Sequence, residues 1–333
     1  MIYQMDISKL PDALHLGGLL EEPVMITGGL LHKMYRVATS DGLFAVKRLN
    51  PEIIKRPDAL SNTIRSEKIA KAFDSLIPAV VSLEIDGKQV HKLGEEYYMV
   101  FPWVEGTAVF PADITPYHCE AIGSILGKMH QHNLRMEGII LEEDAFEMFG
   151  WDAYLKRIND FKSSDKEWMT AYRKSVEDIK RWNQKACDSE SYLSKSAVIS
   201  HRDLDPKNVM WNGDKPYIID WEAAGYVNPY QEFLEVINYW ADDGAGNLVK
   251  EKYDALITAY CRYMDISTVL WDEVFYGSYF GMLGWLEYNV KRALGIEASE
   301  EAEMLLGEEQ VIGTIRELYA YRGKIGQMQE WLC

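Results

Sequence analysis

The sequence predicts an α+β chain in two parts: a β-rich N-terminal stretch of about a hundred residues, then a larger α-rich remainder. Three observations predict it. Short apolar runs divided by Gly-containing turns fill residues 24–104. From Thr115 onward, apolar residues recur at three- and four-residue spacing instead. Between the two patterns, Phe101-Pro102-Trp103-Val104-Glu105-Gly106 interrupts a strand with a Pro and a Gly, as a connector does. The expected division is therefore 1–100, a connector at 101–106, and 107–333.

Residues 1–22 have the look of an amphipathic lead-in. Val24 to Thr39 carries apolar ends around Gly28-Gly29 and predicts a hairpin. Ser40-Asp41-Gly42 is a turn, and Leu43 to Leu49 is the next strand. A Gly-Gly hairpin can fold over a phosphate chain, because backbone N–H groups reach where a Cβ would block them. It is also an ordinary turn. Lys47 lies within a mostly apolar strand. A central Lys needs a partner, whereas strand alternation also permits an outward-facing one. Asp58 to Phe73 is expected to be a helix that places Glu67 either toward Lys47 or on a solvated face. Pro78 to Leu83 and Tyr97 to Val104 are two further expected strands, with the turn Asp86-Gly87-Lys88 between them.

The helical part begins at Thr115, a cap before Pro116 in the first turn, and runs to His132. Residues 150–187 predict one or two amphipathic helices. Further helices are expected over 229–239, 248–264, 269–293 and 299–323. The aromatics of 271–292 are expected to be mostly core. Inside this part lies Ser200 to Trp211, then Tyr217-Ile218-Ile219-Asp220-Trp221-Glu222. Pro206 cannot continue a helix and restricts Asp205, so Asp203 is expected on a tight loop. Residues 217–219 predict a short buried strand leading to Asp220.

Composition narrows the function classes. The chain has 333 residues, 47% of them hydrophobic, with 20 Tyr and 10 Trp, enough to bury a large core. Its net charge of −17 repels nucleic acid and anionic membranes and attracts cations. The same excess also serves solubility alone. Neither a nucleic-acid partner nor a membrane is expected: no apolar run approaches the ~18 residues of a span, and the N-terminus lacks a secretory pattern. Cys119, Cys187, Cys261 and Cys333 have no metal spacing, so reduced thiols and a cytoplasmic location are the expectation. Nothing in the sequence sets an oligomeric state.

The chemistry is concentrated at Asp203, Asn208 and Asp220. Phosphoryl transfer to an alcohol needs a carboxylate beside the hydroxyl, hard oxygen ligands for Mg²⁺, and cations on the phosphates. Asp203 suits the first role, Asn208 and Asp220 the second, and Lys47 the third. His201 is expected to tie down the loop. No Walker sequence, G-x-S-x-G elbow or zinc spacing competes with this reading.

The H-x-D-x-x-x-x-N run at His201 to Asn208, followed by an apolar strand and Ile219-Asp220-Trp221-Glu222, resembles the aminoglycoside phosphotransferase and choline kinase family. The Val46-Lys47 strand, the Glu67 helix, the 101–106 connector and the Leu126-Gly127-Lys128-Met129-His130 helix end occur in the family's order. The resemblance runs from about residue 24 to 320. It implies a protein-kinase-like fold: a small nucleotide-binding lobe, a connector, and a larger lobe for catalysis and the acceptor. It implies that Asp203 is the catalytic Asp, that Asn208 and Asp220 bind Mg²⁺, and that Lys47 contacts the phosphates of ATP or GTP while pairing with Glu67. Gly28 and Gly29 would cover the phosphates. At the connector, Pro102 would offer its carbonyl and Val104 its N–H to adenine.

The chain departs from the family at three positions. Arg202 stands where the antibiotic kinases usually have a small residue, Asp205 where they often have His, and Lys207 where Gly is common. Trp221-Glu222 follows Asp220 in place of a D-F-G, and no A-P-E or long activation segment follows. These absences favour a small acceptor over a protein, and the net charge of −17 with the family resemblance favours a cationic or amino-bearing one. Glu222, Asp242, Asp243 and Glu287, with Tyr239, Trp240 and Trp285 as aromatic walls, are candidates to hold it, each also readable as a solvated carboxylate or core aromatic. The alternatives are a protein kinase and a catalytically silent nucleotide-binding module.

Overall fold

The computed structural model describes residues 7–26, 32–139, 145–161, 166–296 and 300–332. The chain divides into two compact units. The first comprises Met1–Phe110, His132–Ile139 and Ile199–Gly225; the second Pro111–Gln131, Ile140–Val198 and Tyr226–Cys333. This differs from a division at 101–106: the first unit runs on to Phe110 and takes in His132–Ile139 and, with most consequence, Ile199–Gly225. The motif segment, expected with the C-terminal part, belongs to the first unit. The reason lies in its hydrogen bonds, given below.

The first unit is built on an antiparallel sheet of five strands, β1 (Val24–Ile26), β2 (Lys33–Thr39), β3 (Gly42–Arg48), β4 (His91–Leu93) and β5 (Glu96–Pro102), in the order β1-β2-β3-β5-β4. β1, β2, β3 and β5 answer to the expected strands, and β4 was not expected. One sheet face packs Val37, Val46, Tyr98 and Val100 against Leu10, Leu14 and Leu16. The lead-in is thus the cover of that face. Successive strand residues point to opposite faces. With Val46 in this core, Lys47 is turned to the other face, where it is nonetheless 9% exposed. Register places Lys47 opposite Met34 on β2 and Met99 on β5.

Pro78 to Leu83 forms no ladder strand. Pro78 has no N–H to give, and the segment instead bridges two partners. Val80 N donates to Ile218 O (2.8 Å), Ile218 N donates to Pro78 O (2.9 Å), and Leu83 N donates to Val100 O (2.7 Å). Ile218 ends the strand Lys215–Ile218, which pairs with Val209–Asn212. That strand pairs in turn with β6 (Thr107–Ala108). These bonds tie the segment before Asp220 to the sheet of Lys47.

The turn into β6 depends on Gly106. Its φ is +150°, and a Cβ there would lie 2.4 Å from Trp211 O. Gly106→Ala is expected to destabilise the protein by about 3 kcal/mol, from strain plus a backbone clash. A thermal-unfolding midpoint equal to the parent's would show that the contact relaxes freely.

The second unit is helical: Pro116–His132 (to Gln131 within this unit), Trp151–Asp160, Glu167–Leu193, Pro229–Trp240, Lys250–Tyr260, Trp271–Gly277, Tyr279–Ala293 and Glu301–Trp331. The single helix expected over 269–293 is two. The Ser278 hydroxyl donates to Val274 O (2.9 Å) at the break, a bond that bends helices. Two buried polar groups organise this unit. His130 bonds Glu232 (2.7 Å) and Tyr260 (2.8 Å). Asn228 caps its helix through Tyr230 N and Gln231 N and donates to Leu193 O. Phe275 and Tyr279 are core, as expected, but Trp285 and Tyr288 are 47% and 41% exposed.

Candidate active site

The loop before Asn208 is closed by short-range bonds. Asp205 accepts Lys207 N (2.8 Å) at the start of the one-turn helix Pro206–Asn208. Asn208 Nδ2 donates to Asp203 O (2.8 Å) and to Asp203 Oδ2 (2.9 Å). One amide thus fixes both the backbone and the carboxylate of Asp203. His201 Nδ1 accepts Asp203 N (3.3 Å), which places the ring proton on Nε2, and Nε2 bonds Ile219 O (3.0 Å). Ile219 N donates to Asn208 O (3.0 Å). Ile219 is therefore held on both sides, and the Asp203 loop and the Asp220 turn become one piece. The expected role for His201, tying the loop down, matches this geometry.

Burial raises the Asp203 carboxyl above its ordinary value, against the opposing pull of Lys207 and the Asn208 bond. Lys207 Nζ lies 3.7 Å from Asp203 Oδ1 and 3.6 Å from Asp205 Oδ2. A carboxylate with a raised pKa is a better proton acceptor for a hydroxyl.

Asp220 adopts a left-handed backbone, φ 59° and ψ 64°. The next residue, Trp221, anchors the turn. It is 1% exposed, stacks on Phe73 with centroids 5.8 Å apart, and meets the His201 ring edge-on at 4.7 Å. Pinned this way, the turn presents Asp220 and Glu222 to Lys47. Lys47 Nζ lies 3.0 Å from Asp220 Oδ1 and also pairs with Glu222 Oε1. Burial alone would lower the Lys47 pKa, but the two carboxylates reverse this and raise it. Burial would raise Glu222. The bond from His32 and the charge of Lys47 bring it instead to about 2.

Two sequence expectations change here. Glu67 makes no ion pair with Lys47. Its carboxylate accepts Ser82 N (3.1 Å), 4% exposed, on the buried face of the helix Ala59–Phe73. Glu222, expected toward an acceptor, faces Lys47 and His32. His32 itself was not anticipated. In the sequence it follows Gly29 by three residues, with no pattern to mark it.

Burial raises the Glu67 pKa. A carboxyl raised on folding contributes stability that is present below its unfolded pKa and is lost as pH rises through the folded one. Glu67→Gln keeps an acceptor for Ser82 N and removes the charge. The difference in melting temperature, variant minus parent, is expected to grow in the variant's favour between pH 4 and pH 8. A difference independent of pH would count against a raised Glu67.

Pro102 ends β5. Trp103 N donates to Leu43 O (3.0 Å), while the following Val104 is half-buried beyond the strand. Gly28 and Gly29 fall outside the described residues. In the second unit, Asp242 pairs with Lys324 (2.5 Å) and accepts Gly244 N. Asp243 accepts Ala245 N and Asn247 N. Glu287 bonds Tyr154 (2.6 Å) and Lys291 (3.0 Å). Trp285 is open, stacked on Tyr288. Trp240 is fully buried and is core rather than wall.

Among the described residues, no group of three or more His, Cys, Asp or Glu could hold a metal ion alone. Asp220 and the free Oδ1 end of Asn208 are hard oxygen donors, and such a pair fits an ion completed by phosphate oxygens and water. Among the described residues, no helix is long and apolar enough to cross a membrane.

The fold is protein-kinase-like, sheet-rich first and helical after, and solved structures share it. The spectinomycin phosphotransferase APH(9)-Ia in complex with ADP and spectinomycin is 14% identical, with 95% of this chain and 97% of that one covered and a TM-score of 0.67. The microcompartment-associated aminopropanol kinase is 14% identical, with 96% and 100% covered and a TM-score of 0.61. An aminoglycoside phosphotransferase from Alicyclobacillus acidocaldarius is 13% identical, with 96% of each chain covered and a TM-score of 0.60. No curated protein sequence matches. The model of the phosphotransferase enzyme family matches residues 24–265, and the chain belongs to that family.

Proposed function

We propose that this phosphotransferase uses ATP and Mg²⁺ to phosphorylate a hydroxyl of a small, cationic or amino-bearing molecule. The observation that carries the reading is the joining of two half-sites through Ile219. On one side Asn208 orients the Asp203 carboxylate; on the other Asp220 meets Lys47. Bound nucleotide and metal supply the phosphoryl group and the charge that neutralises it. Asp203 accepts the proton of the acceptor hydroxyl. Asn208 Nδ2 holds that carboxylate in place, and its oxygen end with Asp220 would hold the metal. Lys47 would turn an N–H toward the phosphates. Pro102 and Val104 are proposed to meet the base through the backbone, and Gly28 and Gly29 to cover the phosphates.

The acceptor class draws support from the net charge of −17 and from the acceptors named for similar folds, spectinomycin and aminopropanol. The nucleotide draws support from the ADP in one such structure and the AMP-PNP and Ca²⁺ in another. Asp242, Trp285 and Glu287 remain proposed acceptor contacts; Trp285 has the open aromatic face that a cation needs. The free cysteines, buried Cys119 among them, support a cytoplasmic location.

The test is ATP consumption across aminoglycosides, macrolides, amino alcohols and sugars, with radiolabelled transfer to protein run in parallel. Acceptor-dependent turnover with an amino-bearing alcohol is expected. Label on protein alone, or nucleotide binding with no transfer to any acceptor, would sink the proposal.

A further inference from the structure

Lys47 is the cation that the proposed nucleotide site requires, and what holds it is not what a sheet lysine beside a helix glutamate suggests. The helix carboxylate, Glu67, accepts Ser82 N at Oε2 and acts on Lys47 through its charge alone, with no direct ion pair. Lys47 is instead approached by a relay of side chains. Asn50 N donates to His32 Nδ1 (2.9 Å). That bond occupies Nδ1 as an acceptor and leaves the ring proton on Nε2. Nε2 lies 3.1 Å from Glu222 Oε1, and the same oxygen pairs with Lys47 Nζ. The His32 and Lys47 side chains are 7% and 11% exposed, so solvent does little to loosen them.

Each link is anchored independently of a ligand. Asn50 also caps the helix Pro51–Ile54 through its side chain, on Glu52 N (3.0 Å). Glu222 follows Trp221, which is locked between Phe73 and His201. The ammonium has three N–H groups. Here one serves Glu222 and one serves Asp220. If Asp220 turns to a metal, Glu222 is the carboxylate left to fix the direction of Lys47.

We infer that the His32–Glu222 pair is the positioning device for Lys47, and that Glu67 is not. The inference rests on the reading of this cluster as a nucleotide site. Glu222 and His32 act through Lys47 and need not touch the nucleotide. Their loss should therefore appear in nucleotide affinity more than in the chemical step.

The experiment is calorimetric titration of the full chain with Mg·ATP without acceptor, beside steady-state kinetics and the melting temperature of each ligand-free variant. Glu222→Gln is expected to weaken ATP binding about tenfold and to raise the KM for ATP by more than it lowers kcat. His32→Ala should weaken binding in the same direction. His32→Gln, which retains an N–H donor, should restore part of the loss. In the double variant Glu222→Gln with His32→Ala, the two losses should not add, because one relay carries both. The loss in Glu222→Gln should exceed that in Glu67→Gln. The reverse order, tighter ATP binding in Glu222→Gln, or additive losses would overturn the inference. Lys47→Ala separates this failure from the larger one. If Lys47→Ala binds ATP as the parent does, the nucleotide reading of the site fails. If it loses ATP while Glu222→Gln does not, only the relay fails.

Discussion

Asp203→Asn is expected to lower kcat for phosphoryl transfer by about 10³-fold and to leave Mg·ATP binding close to the parent's. The amide replaces the carboxylate without shortening the side chain, so the Asn208 bond to the Asp203 carbonyl (2.8 Å) stays. What is lost is the group that takes the hydroxyl proton. The pH profile carries a second signature. Burial raises Asp203, and only its ionised form accepts a proton. Protonation at low pH removes that form, so the acid limb of kcat should fall at a higher pH than an ordinary aspartate near 3.8 would give. Steady-state kinetics with a saturating acceptor measures the first effect, and the same assay from pH 4 to 8 measures the second. A variant that retained a tenth or more of the parent rate would remove Asp203 from the chemistry.

The second large effect is expected at Asp220. Asp220→Asn removes the charge that a divalent cation needs and one of the two carboxylates on Lys47. The fall in kcat/KM for ATP is expected to be about 10²–10³, with partial recovery at high Mg²⁺. The recovery separates a metal role from a purely structural one, because a misfolded turn would not respond to Mg²⁺. Flat dependence on Mg²⁺ in both parent and variant would exclude the assigned role.

The parts of this site that were legible in the sequence are those built from neighbours. Asp203 and Asn208 are five residues apart and bonded to each other, and Pro206 announces the turn that makes this possible. The strands around Lys47 were legible from alternation. Lys47 itself was ambiguous, because alternation fixes a face without saying what covers it. Its partner Asp220 is 173 residues away, and no local pattern encodes such a pairing. Helical spacing predicted the helix that carries Glu67 but left open whether that residue faced Lys47 or solvent. It could not say that Ser82 N, on an irregular segment misread as a strand, would claim the carboxylate. His32 carried no signal because its role depends on a ring proton set by Asn50. In the helical part, periodicity located the elements but not the Ser278 break, which depends on one hydroxyl.

The left-handed backbone at Asp220 has a consequence for how this protein can be evolved in the laboratory. An ordinary side chain in that conformation costs about 1–2 kcal/mol, and glycine escapes the cost. Against that relief stands the ion pair that Asp220 makes with buried Lys47, which Asp220→Gly would remove. A library screened only for survival after heating therefore weighs backbone strain against a lost ion pair at this codon, and neither records turnover. A selection scheme that does not reward turnover in every round puts no pressure on the carboxylate as a catalytic group.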